Sequence, residues 1–120
     1  MSENVAVLST RLSAVNDMLG RVQHVHGLVE QFAVAAQRGS VEPHVVPLRR
    51  AFAQLKREFT GAGMDSLAQL AGSMEMAAGR SGMPLQRVRI LRDGVASMRH
   101  QLEVEQRSIQ RSLAEARADQ

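Results

Sequence analysis

The chain of 120 residues contains no cysteine, tryptophan or tyrosine, and phenylalanine occurs only at Phe32, Phe52 and Phe59. The missing thiols exclude disulfides and thiolate metal sites, which suits a reducing compartment. The shortage of aromatics argues against a sandwich or barrel, because sheets cover their pleated faces with β-branched and aromatic side chains. No apolar run approaches the roughly 18 residues that a membrane-spanning helix needs. Arg11, Asn16 and Asp17 interrupt the opening stretch, which lacks the pattern of a signal peptide. A cytoplasmic location without membrane contact is therefore expected. Proline is confined to Pro43, Pro47 and Pro84, so nothing of that kind breaks a helix in the last third of the chain.

What is present favours helices packed on helices. Apolar residues make up 44% of the chain, and with so few aromatics the core must be Leu, Val, Ala and Met. The length suits one domain over residues 1–120 and is too short for two cores. Fifteen basic residues against twelve acidic ones give a net charge of +3, and all the cations except Lys56 are arginine. A nucleic-acid binder concentrates positive charge on one face, often with aromatics for stacking. Here the phenylalanines fall at core spacing, and a solvated helical surface is the simpler account.

Four helices are expected, at about 3–38, 45–61, 65–79 and 84–118. In the first, Val5, Leu8, Leu12, Val15, Leu19, Val22, His26, Val29 and Ala33 alternate steps of three and four. After Val15 a second row of Met18, Val25 and Phe32 widens the stripe, which suggests more neighbours there. Ser2 is a plausible cap with Glu3 beside it, Gly39 a stop, and Gly20 and Gly27 permit a bend or a close contact. GSVEPH at 39–44 forms a connection, with Pro47 acceptable only in the first turn of the next helix. That helix has the stripe Val45, Leu48, Phe52, Leu55 and Phe59 and ends at Gly61 and Gly63. The third, capped by Asp65 or Ser66, carries Leu67, Leu70, Ala71, Met74, Ala77 and Ala78. Gly79 to Gly82 close it, and Pro84 opens a fourth with Val88, Leu91, Val95, Met98 and Leu102. Beyond Leu102 only Ile109, Leu113 and Ala116 keep the line, with Glu103 and Arg107 spaced for an i,i+4 pair.

These lengths define the expected fold: all-α, an antiparallel up-down four-helix bundle with long first and last helices and a short central hairpin. The outer helices should span roughly 50 Å and the inner pair roughly 25 Å at 1.5 Å per residue. The surplus, about Ser2–Val15 and Leu102–Ala118, would project as a two-helix stalk. Two helices alone bury their seams poorly. Val5, Leu8, Leu12, Ile109 and Leu113 are therefore expected to meet a second copy, forming a homodimer.

No catalytic, cofactor or metal site can be assembled. His24 and His26 point about 200° apart on a helix, and His26 is expected as a core histidine. His44 lies in the expected loop between prolines, and His100 beside the fourth stripe. No HExxH, Glu-x-x-His or calcium-loop pattern occurs. The serines lack a base, and FTGAGMDSL lacks phosphate-loop spacing. Met64, Met74, Met76 and Met83 are read as core at helical spacing rather than as an adaptable groove.

The stretch Leu48–Ala78, LRRAFAQLKREFTGAGMDSLAQLAGSMEMAA, resembles the central hairpin of histidine-containing phosphotransfer domains. The family motif is similar to A-H-x-L-K-G-S followed by a glycine turn and L-A-x-L. Leu55-Lys56 match the L-K, Gly63 the turn, Leu67-Ala68 and Leu70 the next helix, and Met74-Glu75 its end. The resemblance implies a four-helix bundle that exchanges phosphoryl groups with the aspartate of a receiver domain. Ala53 stands where the family has its phosphorylated histidine, and Arg57 where it has a glycine that admits the receiver. The implied function is accordingly a non-catalytic interaction or regulatory module. Arg50, Ala53, Lys56 and Arg57 would form its docking face for a receiver, a histidine kinase domain or another protein partner. A structural or assembly bundle that homodimerises is the alternative, with nucleic-acid binding through the arginines as a third.

Overall fold

The computed structural model describes residues 4–80 and 82–119. Ser2 and Glu3, expected at the start of the first helix, and Ser81, within the stretch Gly79 to Gly82, lie outside them. The described residues form four helices and no strand: α1 Val5–Gln37, α2 Glu42–Gly61, α3 Asp65–Gly79 and α4 Pro84–Ala118. Each of α1 and α3 packs on both α2 and α4, while neither α1 with α3 nor α2 with α4 comes into close contact among the described residues. The result is a four-helix bundle measuring 59 × 21 × 17 Å. A helix of 35 residues such as α4 runs roughly 52 Å, nearly the whole length.

The start of α1 is fixed by Asn4, whose Oδ1 accepts from the Ala6 N–H at 2.8 Å. Its stripe widens as expected. Val15, Val22 and Val29 are buried in one row and Met18, Val25 and Phe32 in a second, over the length where α1 faces α2 as well as α4. Along the flank of α1, contacts to α4 recur every seven residues. Gln106 donates to Asn16 at 2.8 Å, Arg99 to Gln23 at 3.1 Å, and Arg92 to both carboxylate oxygens of Glu30 at 2.7 and 2.8 Å. Each advance of seven along α1 is matched by a retreat of seven along α4, the spacing of a coiled-coil seam. Arg11 and Glu105, 2.9 Å apart, add a further cross-link between α1 and α4 outside that spacing. The expected pair Glu103–Arg107 does not form; α4 directs Glu105 across to α1 instead.

Both glycine stops work through left-handed backbone. Gly39 has φ 82° and Gly63 φ 74°. Ser40 N–H donates to Ala35 O and Gly39 N–H to Ala36 O after α1. The same pattern, Met64 to Phe59 and Gly63 to Thr60, closes α2. Met64, the residue beyond the turn, is half-buried against the core. It takes the position of the α3 N-cap, with no side-chain bond, so neither Asp65 nor Ser66 caps this helix.

Helix α2 begins at Glu42, earlier than the expected 45. His44 is thereby helical rather than in a loop, and Pro47 lies in the second turn, not the first. Pro43 sits in the opening turn, where a missing N–H costs nothing. Pro47 is exposed, so the carbonyl it leaves without a helical donor, that of Pro43, stays within reach of water.

Three placements depart from the periodic reading. His26 is half-exposed, with Nε2 3.9 Å from Glu30 Oε2, rather than buried; Val25, one position earlier, takes the core site. Met76 and Met83 are 65% and 68% exposed while Met74 is buried. Met76 lies about 200° from Met74 around α3, and Met83 precedes α4. Gly20 and Gly27 have open space around them and mark no close contact.

The close contact is at Gly94, in the middle of α4 and buried. A β-carbon there would overlap Met74 Sδ and crowd its Cγ at 2.9 Å. Met74 thus reaches from α3 into a notch made by a missing side chain. At the end of the bundle Arg87 lies over the Phe32 ring, 5.4 Å from its centroid, and donates to Ala78 O at 3.2 Å near the close of α3.

The overhang of α1 and α4 is shorter than expected. The α2–α3 turn, from Ala62 to Leu67, faces α1 at Thr10–Val15 and α4 at Gln101–Ile109 across a small recess. Only the chain ends extend beyond it. Leu8, Ile109, Leu113 and Ala116 are buried within this one chain, and their burial asks for no second copy; Val5 and Leu12 are half-buried.

Gly94→Ala should lower stability by roughly 1 kcal/mol, overpacking exceeding the gain in helix propensity. The loss should shrink in a Met74→Ala background, and equal losses in both backgrounds would dissociate the glycine from the methionine. Gly20→Ala, with nothing to meet, should instead raise stability by roughly 0.5–1 kcal/mol. Denaturant midpoints measure both.

Candidate functional site

The inward stripe of α2, Leu48, Phe52, Leu55 and Phe59, is fully buried. Helical geometry therefore turns Arg49, Arg50, Ala53, Lys56 and Arg57 outward, where all but the half-buried Ala53 are exposed. The structure brings the four expected docking residues, Arg50, Ala53, Lys56 and Arg57, onto one face and adds Arg49. None of the four cations has a carboxylate within ion-pair distance among the described residues. Arg57 donates to the neutral Gln54 Oε1 at 2.6 Å. The acid nearest in sequence, Glu58, is engaged elsewhere: it accepts from Arg21 of α1 at 2.7 Å and from Gln54 at 2.9 Å.

Two of these cations are supported by α3. The Lys56 chain lies over Gly72, with Cδ 3.4 Å from where a β-carbon would stand, and Arg49 Nε lies 2.9 Å from the same point at Gly79. The glycines of α3 form a bed for long side chains from α2. Two shallow recesses result. One, of about 390 Å³, is lined by Ala53, Lys56, Arg57, Thr60 and Glu75. The other, of about 260 Å³, is lined by Val46, Arg49, Arg50, Ala53 and Glu75. Ala53 and Glu75 belong to both, so a methyl group and one carboxylate stand at the saddle among four cations.

On its other side α2 borders a larger groove shared with α1, about 1120 Å³ in volume, to which Arg50, Ala53 and Arg57 also contribute. Ala53 is thus the crest of a ridge with an opening on either slope. The doublets Arg49-Arg50 and Lys56-Arg57, seven apart, already mark the ridge in the sequence. Glu75, Gly72, Gly79 and the α1 wall of the groove have no such signal, because their roles come from which helix lies beside which.

The chemistry of this surface is electrostatic. Ala53 offers no nucleophile, and no group of three His, Asp or Glu side chains among the described residues converges to hold a metal ion. His24 lines the α1–α2 groove, His44 is half-buried in the first turn of α2, and His100 is exposed. No helix of the described residues is long and apolar enough to cross a membrane. Comparison with protein-family models, with curated proteins and with solved structures finds no match.

Away from the ridge, the Arg92 hydrogen bonds hold the Glu30 carboxyl below its ordinary value, opposed by burial and helped to a lesser extent by the charges of Arg92 and His26. Because the folded-state value is depressed, this pair contributes its stability in full above pH 4.5 and loses it as pH falls through the lower folded-state value. Both side chains are about half exposed, so solvent keeps the contribution under about 1 kcal/mol. Wild type should exceed Glu30→Gln in stability at pH 7, and the gap should close in acid below pH 4.5; chemical denaturation across that range measures it.

Proposed function

We propose that the chain is an antiparallel up-down bundle, with α2 and α3 as a short central hairpin, and that it acts in the cytoplasm as a non-catalytic interaction module. In this reading it is a histidine-containing phosphotransfer domain that has kept the docking face and lost the phosphoryl carrier. Its partner is a receiver or histidine kinase domain that meets the exposed face of α2. The observation that carries the reading is Ala53: the position of the family's histidine is the crest of a ridge flanked by four unpaired cations, with no nucleophile at its centre. Such a surface attracts an acidic partner and fixes its orientation. It has nothing with which to take a phosphoryl group.

The half-buried Val5 and Leu12, beside Val7 at 52% exposure, favour a second copy at the overhang as an additional partner. Sedimentation over a range of concentrations tests that, and a strict monomer would remove it.

Incubation with a phosphorylated receiver or an autophosphorylating kinase should leave no acid-labile phosphate on His24, His26, His44 or His100. Label on any of them overturns the non-catalytic assignment. A paired Arg50→Glu, Arg57→Glu change should weaken receiver binding by about ten-fold or more at low salt, with the helical content unchanged.

A further inference from the structure

The α1–α2 groove and the basic ridge form one continuous surface, since Arg50, Ala53 and Arg57 border both. From Pro47 to Glu58 the α2 wall takes in twelve residues, a rise of roughly 16 Å or about three helical turns. A helix segment of that length, about 10 Å across, displaces roughly 1250 Å³, comparable with the groove's 1120 Å³. The floor is apolar, with Val25 and Leu55 beneath and Leu28 and Ala51 at the sides. Gly20 leaves the α1 wall low, with nothing within 4 Å of where its side chain would be.

We infer that this groove receives an acidic amphipathic helix from the partner protein, its apolar face on Leu28 and Ala51 and its carboxylates along Arg50 and Arg57. The inference rests on α2 being a docking face, and it names the partner's chemistry. A helix fits because both walls are helices: the described residues offer no strand edge to pair with an extended peptide, whereas a helix satisfies its own backbone. An acidic helix fits because the charges of the groove are unequal. Arg21 is spent on Glu58, Arg50 and Arg57 have no carboxylate partner among the described residues, and Asp17 is the one acid opposing them.

The test uses the full chain and a fluorescein-labelled synthetic peptide of roughly 14 residues, about four turns, with leucines on one face and glutamates on its flanks. A counterpart with lysines for the glutamates serves as control. The acidic peptide should bind with a Kd of about 10–100 µM, weakening as salt is added, and at least about ten-fold more tightly than the basic one. Gly20→Leu fills the groove without altering charge. It should reduce affinity by about ten-fold or more while the circular dichroism and melting temperature hold or rise. Equal affinity for the two peptides, or no binding at about 1 mM, overturns the inference. Acidic-peptide binding that Gly20→Leu leaves intact also overturns it, yet leaves α2 standing as a docking face. Loss of receiver docking in wild type alongside Gly20-sensitive peptide binding would do the reverse. Self-association of the chain abolished by Gly20→Leu would assign the groove to a second copy and overturn it as well.

Discussion

Two helices touch along nearly their whole length, and the contacts of α1 with α4 set the geometry that everything else follows. The buried rows supply the attraction, which is large but indifferent to small axial shifts. The bonds at Asn16–Gln106, Gln23–Arg99 and Glu30–Arg92 supply what the apolar rows cannot, a preference for one register. Each is weak and solvated. Because they repeat at the heptad spacing, a slip by one turn would break all of them together. The short helices α2 and α3 then pack as a pair on this frame, and the frame determines which of their faces remain outside.

The face left outside on α2 is costly in a specific way. Arg49, Arg50, Lys56 and Arg57 repel one another along about two turns of a helix, with Glu75 the only carboxylate in the two recesses that flank Ala53. Some charges of the bundle are paired, as Arg21 with Glu58 and Arg92 with Glu30, but no other stretch sets four cations within so few turns of one helix face without a carboxylate in ion-pair reach among the described residues. That clustering is the physical content of the proposed function. Unpaired like charges on an ordered helix are tolerated where something outside the chain is to neutralise them, and their field raises the rate at which an acidic surface is captured.

The helices were legible in the sequence because their signal is periodic and local. Stripes such as Leu48, Phe52, Leu55 and Phe59 identify themselves, as do stops such as Gly39 and Gly63. What stayed hidden depends on neighbours. Gly94 looks like any helix-weakening residue until Met74 is found filling the space it leaves, whereas Gly20, equally unremarkable, borders open solvent. His26 sits in the arithmetic of the α1 stripe, yet the width of that stripe allows Val25 to take the core and turns His26 towards Glu30. The start of α2 is hidden because two prolines suggest a loop, although Pro43 suits an opening turn and the exposed Pro47 leaves the orphaned carbonyl of Pro43 within reach of water. On the α2 face proposed for docking, the cations and Ala53 can be read directly, while the glycine bed of α3 and the approach of Glu75 to the recesses cannot.

The sulfur seated against Gly94 gives the molecule an internal clock for its own opening. Met76 and Met83 hold their thioethers in water and are open to oxidants at all times. Met74 is buried, with its sulfur seated against Gly94 where α3 lies on α4. Burial slows oxidation there relative to the exposed thioethers, so its sulfoxide should form faster when those helices part, and the added polar oxygen would disfavour their original packing. The rate of that single oxidation, set against the rates at Met76 and Met83, therefore counts the excursions of the bundle from its closed state, and a partner that clamps α2 and α3 would slow the count.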